Sequence, residues 1–172
     1  MRQLLEELEK IIGYEFENKK FLKIALTHSS YANESGGKLS SYERLEFLGD
    51  SVLSLVTSNY IFKNFPDMPE GDLTKLRASL VCEKQLYLFS LELGVSKFMK
   101  LSRGESHSGG QSRPSILADV FEAISAAIYL DSGLEEASKF ILKFIAPTVK
   151  NPMSLNIHDY KTDLQEIVQK NP

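Results

Sequence analysis

The chain has 172 residues, of which 42% are hydrophobic, enough to build one domain around its own core. Twenty Lys and Arg against 23 Asp and Glu leave a net charge of −3. That balance excludes a protein gripping nucleic acid by bulk positive charge alone, but not an enzyme that meets phosphates through carboxylate-held metal ions. No run of about 18 apolar residues occurs, so a membrane span is excluded.

The N-terminus, Met1 to Glu7, lacks the apolar stretch of a signal peptide and carries acids within its first turn. Leu4, Leu5, Leu8, Ile11 and Ile12 mark a first amphipathic helix that stops at Gly13. Asn18 is placed to cap a second helix carrying Phe21, Leu22, Ala25 and Leu26. A polar turn, Asn33 to Gly37, precedes a long helix expected from about Ser41 to Lys63, and Phe65-Pro66 and Met68-Pro69 break the pattern. Helical spacing then runs from about Gly71 to Leu93, with Gly94 as its C-terminal cap. The single cysteine in it, Cys82, rules out an internal disulfide and fits a reducing cytoplasm; its expected role is a small packed side chain.

Ser102 to Arg113 is polar and glycine-containing and reads as an exposed, mobile loop. Pro114 suits the first turn of a helix running to about Asp131, with Gly133 just beyond. A last helix extends from Leu134 to about Ile145, ending near Pro147. No period-2 strand is evident, so the expected fold class is all-α. Residues 1–150 form the expected domain and 151–158 a linker; Asp159 onward opens like a helix and reads as the start of a second unit.

Four acids stand out. The segment Ile116 to Leu130 is apolar on all sides, the mark of a buried central helix, yet it carries Asp119 and Glu122 on one face. Burying an ionised carboxylate costs several kcal/mol unless a partner offsets it. A bridging Arg or Lys, a shared proton, or a divalent cation would each serve. In the earlier helix, Leu45, Leu48, Val52 and Leu55 read as a core stripe, and Glu46 and Asp50 lie immediately beside it at i, i+4. Gly49, between those acids, costs roughly 1 kcal/mol against alanine in a helix; it makes sense where another chain segment approaches closely. An isolated acid pair is more often a solvated face, and the pair on the buried helix could equally be a structural ion pair. Together the four supply the hard oxygen donors that Mg²⁺ or Mn²⁺ takes, a set suited to phosphoryl transfer. Ser40 to Glu43 has the form of a capping box, with Ser40 as the cap and Glu43 reaching back. Glu70 reads as either a first-turn helix acid or a helper of the site.

Glu43-Arg44-Leu45-Glu46-Phe47-Leu48-Gly49-Asp50-Ser51 resembles the signature stretch of the ribonuclease III family. Glu70 to Val81 and Arg113 to Ala123 resemble the family's next two segments, in the same order and spacing over about residues 5–150. The tail from Asp159 is similar to the opening of the double-stranded-RNA-binding domain of bacterial members, whose bulk would lie beyond Pro172. The resemblance implies a helical endonuclease domain in which Glu46, Asp50, Asp119 and Glu122 hold catalytic Mg²⁺, with Mn²⁺ as a substitute, supported by Glu43 and Glu70. It implies a cytoplasmic homodimer, with Phe47 inserted into a pocket of the second subunit. The implied reaction is hydrolysis of double-stranded RNA by a Mg²⁺-activated water, leaving 5′-phosphate and 3′-hydroxyl ends with short 3′ overhangs, in the processing of rRNA and mRNA precursors. Val120, where a smaller alanine is common, is a packing change beside Asp119.

Two other readings compete. A ribonuclease III fold kept only for binding or assembly would be expected to have lost one or more of the acids, and all four are present. A His-Asp phosphohydrolase, suggested by His158-Asp159, needs further histidines, and only His28 and His107 remain. His28 fits a hydrogen-bonded core position, and the helically spaced aromatics Tyr60, Tyr87 and Phe89 fit the core better than a base-stacking platform.

Overall fold

The computed structural model describes residues 2–36 and 38–150, so the linker and tail expected at 151–172 lie outside the described residues. Eight α-helices follow in order: α1 (Arg2–Ile12), α2 (Lys19–Ala25), α3 (Ser29–Glu34), α4 (Glu43–Asn64), α5 (Glu70–Leu80), α6 (Glu83–Leu93), α7 (Arg103–His107) and α8 (Pro114–Lys150). Among the described residues there is no strand, only a single parallel bridge between Thr27 and Lys100. The all-α expectation therefore holds.

The first half of α8 is the axis of the fold. Ile116, Leu117, Ala118, Val120, Phe121, Ala123, Ile124, Ala126, Ala127 and Ile128 are all buried, as an all-round apolar helix requires. Helices α2, α4 and α6 pack around it. Phe121 packs within a ring cluster with Phe89, Phe140 and Phe144, at centroid separations of 5.5, 5.3 and 5.2 Å respectively. Emptying its place with alanine would cost about 3–5 kcal/mol. The Ser90 hydroxyl on α6 donates to the Leu117 carbonyl at 2.6 Å, giving a buried polar group its partner.

Helix α8 continues past Gly133, but only through a kink. Gly133 has φ 81° and ψ −173°, a conformation that a Cβ would strain, so the two helices expected from the sequence are joined end to end at this residue. Just before the kink, Asp131 accepts from the Tyr14 hydroxyl at 2.7 Å and from the backbone amides of Glu17 and Asn18 at 2.8 and 2.9 Å. The side chain of Asn18 caps α2 by accepting from the Lys20 amide, as expected.

Five expectations need correction. The helix expected over Gly71 to Leu93 is two, because Val81 and Cys82 leave helical geometry and Cys82, with φ −73° and ψ 155°, starts α6. Cys82 is exposed rather than packed. The segment from Ser102 to Arg113 is not a featureless loop: Ser102 caps α7 by accepting from the Glu105 amide, and Glu105 pairs with Arg113 at 2.7 Å. Ser40 does not cap α4; that helix starts after Tyr42 with no side-chain cap, and Glu43 instead accepts from the Ser41 hydroxyl at 3.0 Å. The α4 core stripe is Leu45, Gly49, Val52, Leu53, Val56 and Ile61, with Leu55 turned outward.

Candidate active site

The site lies where α4 crosses the first half of α8. Gly49 permits the crossing: a Cβ built there would run into the Glu122 carbonyl and lie 2.9 Å from its Cα. The backbones therefore touch, and acids on the facing edges of both helices are drawn together. Glu46, Asp119 and Glu122, all half-buried, each offer a carboxylate oxygen, and the three atoms lie within 4.8 Å of one another. Asp50, one turn along α4 from Glu46, is exposed and lies outside this trio. Its charge nonetheless acts on Glu122 more strongly than that of Glu46 or Asp119.

Electrostatics record the crowding. Burial first, then the charges of Asp50, Glu46 and Asp119, push the Glu122 carboxyl up to about 8. Burial and the neighbouring Asp119 and Glu43 raise Glu46. Asp119 is raised chiefly by burial and also by Glu83 at the start of α6; a hydrogen bond from Tyr42 and the nearby His28 oppose the rise. Among the described residues no Lys or Arg forms an ion pair with Glu46, Asp119 or Glu122. The structural ion pair left open by the sequence is thus not formed there. Three oxygen donors at this spacing, short of positive charge, fit a hard divalent cation.

The other expected site residues are placed differently. Glu43 is exposed at the first turn of α4, close enough to raise Glu46. Glu70 is exposed at the first turn of α5, where it accepts from the Thr74 hydroxyl at 2.9 Å. It lines a groove of ≈ 400 Å³ with Leu55, Ser58, Phe62, Leu73 and Arg77, which begins about 2.5 turns along α4 from Glu46. Phe47 is 80% exposed, and with Leu55 and Phe62 it forms an apolar stripe on the outer face of α4.

Two residues not expected to serve this site stand beside the acids: Tyr42, and His28, for which the sequence predicts a hydrogen-bonded core position. Tyr42 is buried, and its hydroxyl donates to Asp119 Oδ2 at 3.2 Å. Burial and the adjacent acids push that hydroxyl far above its ordinary range, so it stays a donor. His28 lies edge-on to the Tyr42 ring at 5.7 Å, while its Nδ1 accepts from the Ser30 amide at 3.1 Å. The available signal was that a buried tyrosine needs a partner for its hydroxyl.

Fold and site together define an all-α protein that gathers carboxylates from two crossing helices. Residues 18–149 match the family model described as Ribonuclease-III-like. The chain is 47% identical over 166 residues to Ribonuclease 3 of Listeria innocua, covering 96% of this chain and 72% of the relative. It is 50% identical over 168 residues to Ribonuclease 3 of Clostridium perfringens, covering 97% and 70%. A structure of the nuclease domain of ribonuclease III from Campylobacter jejuni, described for flexibility in a region involved in dimer formation, is similar with TM-score 0.78 and 44% identity. That likeness covers 83% of this chain and 96% of that one. Dicer from Pichia stipitis is similar with TM-score 0.59 and 29% identity, over 88% and 67%. The chain belongs to the ribonuclease III family and is an endonuclease of that family.

Proposed function

We propose that this endonuclease hydrolyses phosphodiesters of double-stranded RNA, leaving 5′-phosphate and 3′-hydroxyl ends, in the processing of rRNA and mRNA precursors. One observation carries the reading: three half-buried carboxylates from two helices lie within 4.8 Å, with no cationic side chain paired to them among the described residues. Glu46, Asp119 and Glu122 would hold Mg²⁺, or Mn²⁺ in its place, and Asp50 would complete the set from the solvent side. Such an ion supplies Lewis-acid chemistry, activating water and stabilising charge on the departing oxygen. The chain's own work is to fix the donors: the Gly49 crossing sets the distance between the two acid pairs, and burial of Glu122 makes its charge costly until a cation arrives. Asp50 stands at the exposed rim of the acid cluster.

The same reading makes the protein a cytoplasmic homodimer. Phe47, Leu55 and Phe62 leave one face of α4 apolar and uncovered, and the groove beside Leu55 and Phe62 is open to receive Phe47 of the partner subunit. Glu70 lines that groove, so dimerisation would carry it toward the partner's acids, a supporting role consistent with its distance from those of its own chain. Residues 1–150 would form the nuclease unit, followed by a linker at 151–158 and the start of a double-stranded-RNA-binding domain at 159–172.

A labelled duplex RNA, incubated with the protein in Mg²⁺ and in chelator, tests the reading. Cleavage only with metal, with products bearing 5′-phosphates, is the expected result. Binding without cleavage under both conditions would instead show a fold retained for assembly.

A further inference from the structure

We infer that Tyr42 is a positioning residue of the site, a bracket that orients Asp119 on α8 while anchoring Glu46 on α4, so that the two helices present their carboxylates to one cation. The inference rests on the metal reading given above. Tyr42 precedes the first residue of α4, and its carbonyl accepts from the amides of Leu45 and Glu46 at 2.7 and 2.9 Å. Its side chain crosses to the other helix, where the hydroxyl donates to Asp119 Oδ2 at 3.2 Å. One residue thus reaches the first acid of each pair, through its backbone on one side and its phenol on the other.

Tyr42 is itself held on several sides. Its amide donates to the Thr27 carbonyl at 2.9 Å, its ring is only 3% exposed, and the His28 ring packs edge-on against it. His28 is pinned in turn, its Nδ1 accepting from the Ser30 amide, while the Ser30 hydroxyl accepts from the Ser102 amide at 3.1 Å. The phenol therefore has little freedom to follow Asp119; the carboxylate must settle on the phenol. The hydroxyl takes one lone pair of Oδ2 and fixes the carboxylate's orientation, leaving its remaining lone pairs for the cation. Partners of this kind, which touch a ligand and not the metal, cost about 10–100-fold in metal affinity or activity when removed.

Tyr42→Phe in the full chain deletes one oxygen and keeps the packed ring. Isothermal titration with Mn²⁺ alone, without RNA, should show affinity weakened about tenfold. Cleavage should need correspondingly more Mg²⁺ for half-saturation, while kcat at saturating Mg²⁺ stays within about twofold, because enough cation can still align Asp119. The metal-free melting temperature checks that the fold survives. In an Asp119→Ala background, Tyr42→Phe should weaken Mn²⁺ no further, since the acceptor of its hydroxyl is already gone. Wild-type protein that binds Mn²⁺, beside a Tyr42→Phe variant of equal affinity, would overturn this inference alone. Wild-type protein that takes up no Mn²⁺ would overturn the metal reading and this inference with it. A Tyr42→Phe loss of the same size in the Asp119→Ala background would show that the hydroxyl acts elsewhere.

Discussion

Replacing Glu122 by glutamine should stabilise the metal-free protein while nearly abolishing cleavage. The side chain keeps its volume, and its new amide hydrogens face the carboxylates of Glu46 and Asp119. Holding a glutamate at about 8 instead of its ordinary 4.5 corresponds to at most about 5 kcal/mol once the group ionises. Part of the carboxylate reaches solvent, and screening reduces this to about 1–2 kcal/mol. For a chain of this size that gain raises Tm by about 2–8 °C. Mn²⁺ at a hundredfold excess over its Kd should then stabilise the wild type by about 2.7 kcal/mol and the variant far less. The order of the two melting temperatures should therefore reverse between chelator and metal, read by calorimetry at pH 9. A variant that melts below wild type in chelator would show that Glu122 serves a structural pair. One that cleaves duplex RNA at wild-type rate would remove it from the site.

Three further outcomes follow from the same geometry. Because Glu122 is raised in the folded state, its contribution to metal-free stability is fully present below about pH 4.5 and lost as pH rises through about 8; urea melts across this window should fall more steeply for wild type than for Glu122→Gln, and parallel curves would contradict the assignment. Gly49→Ala should destabilise by about 1–3 kcal/mol or more, since the Glu122 backbone cannot yield to a Cβ, whereas Gly71→Ala in the open first turn of α5 should be neutral or stabilising by up to about 1 kcal/mol. Equal melting temperatures for these two variants would sink the close-crossing argument. Phe47→Asp should convert a dimer to a monomer in sedimentation at micromolar concentration, and a monomeric parent would refute the interface.

The acids were legible because they broke a pattern. Asp119 and Glu122 interrupt an otherwise apolar helix, and Gly49 interrupts a good one; the crossing explains both anomalies at once. The α5–α6 break was not legible, since it contains neither glycine nor proline and apolar residues continue on both sides of Val81 and Cys82. Helix α3 escaped because it is short and polar, and its cap is a histidine ring, His28, rather than a Ser, Thr, Asn or Asp side chain. Helix α7 could have been read: Ser102 and Glu105 have the spacing of a capping box, hidden among glycines. Tyr42 escaped because its partner, Asp119, lies 77 positions away, a distance that no local pattern spans.

That separation bears on how the chain is made. Helix α4 leaves the ribosome well before the first half of α8, the helix that covers its inner face, an interval of about 4–15 s at ordinary elongation rates. Until then both faces of α4 are bare: Leu45, Val52, Leu53 and Val56 toward the missing axis, and Phe47, Leu55 and Phe62 on the outside. The Asp131 latch onto Tyr14, Glu17 and Asn18 makes the delay global, because the first twenty residues cannot lock until synthesis has passed the kink at Gly133. During translation, the inner face of α4 therefore stays uncovered, and the acids it carries remain apart from their counterparts until the central helix has emerged.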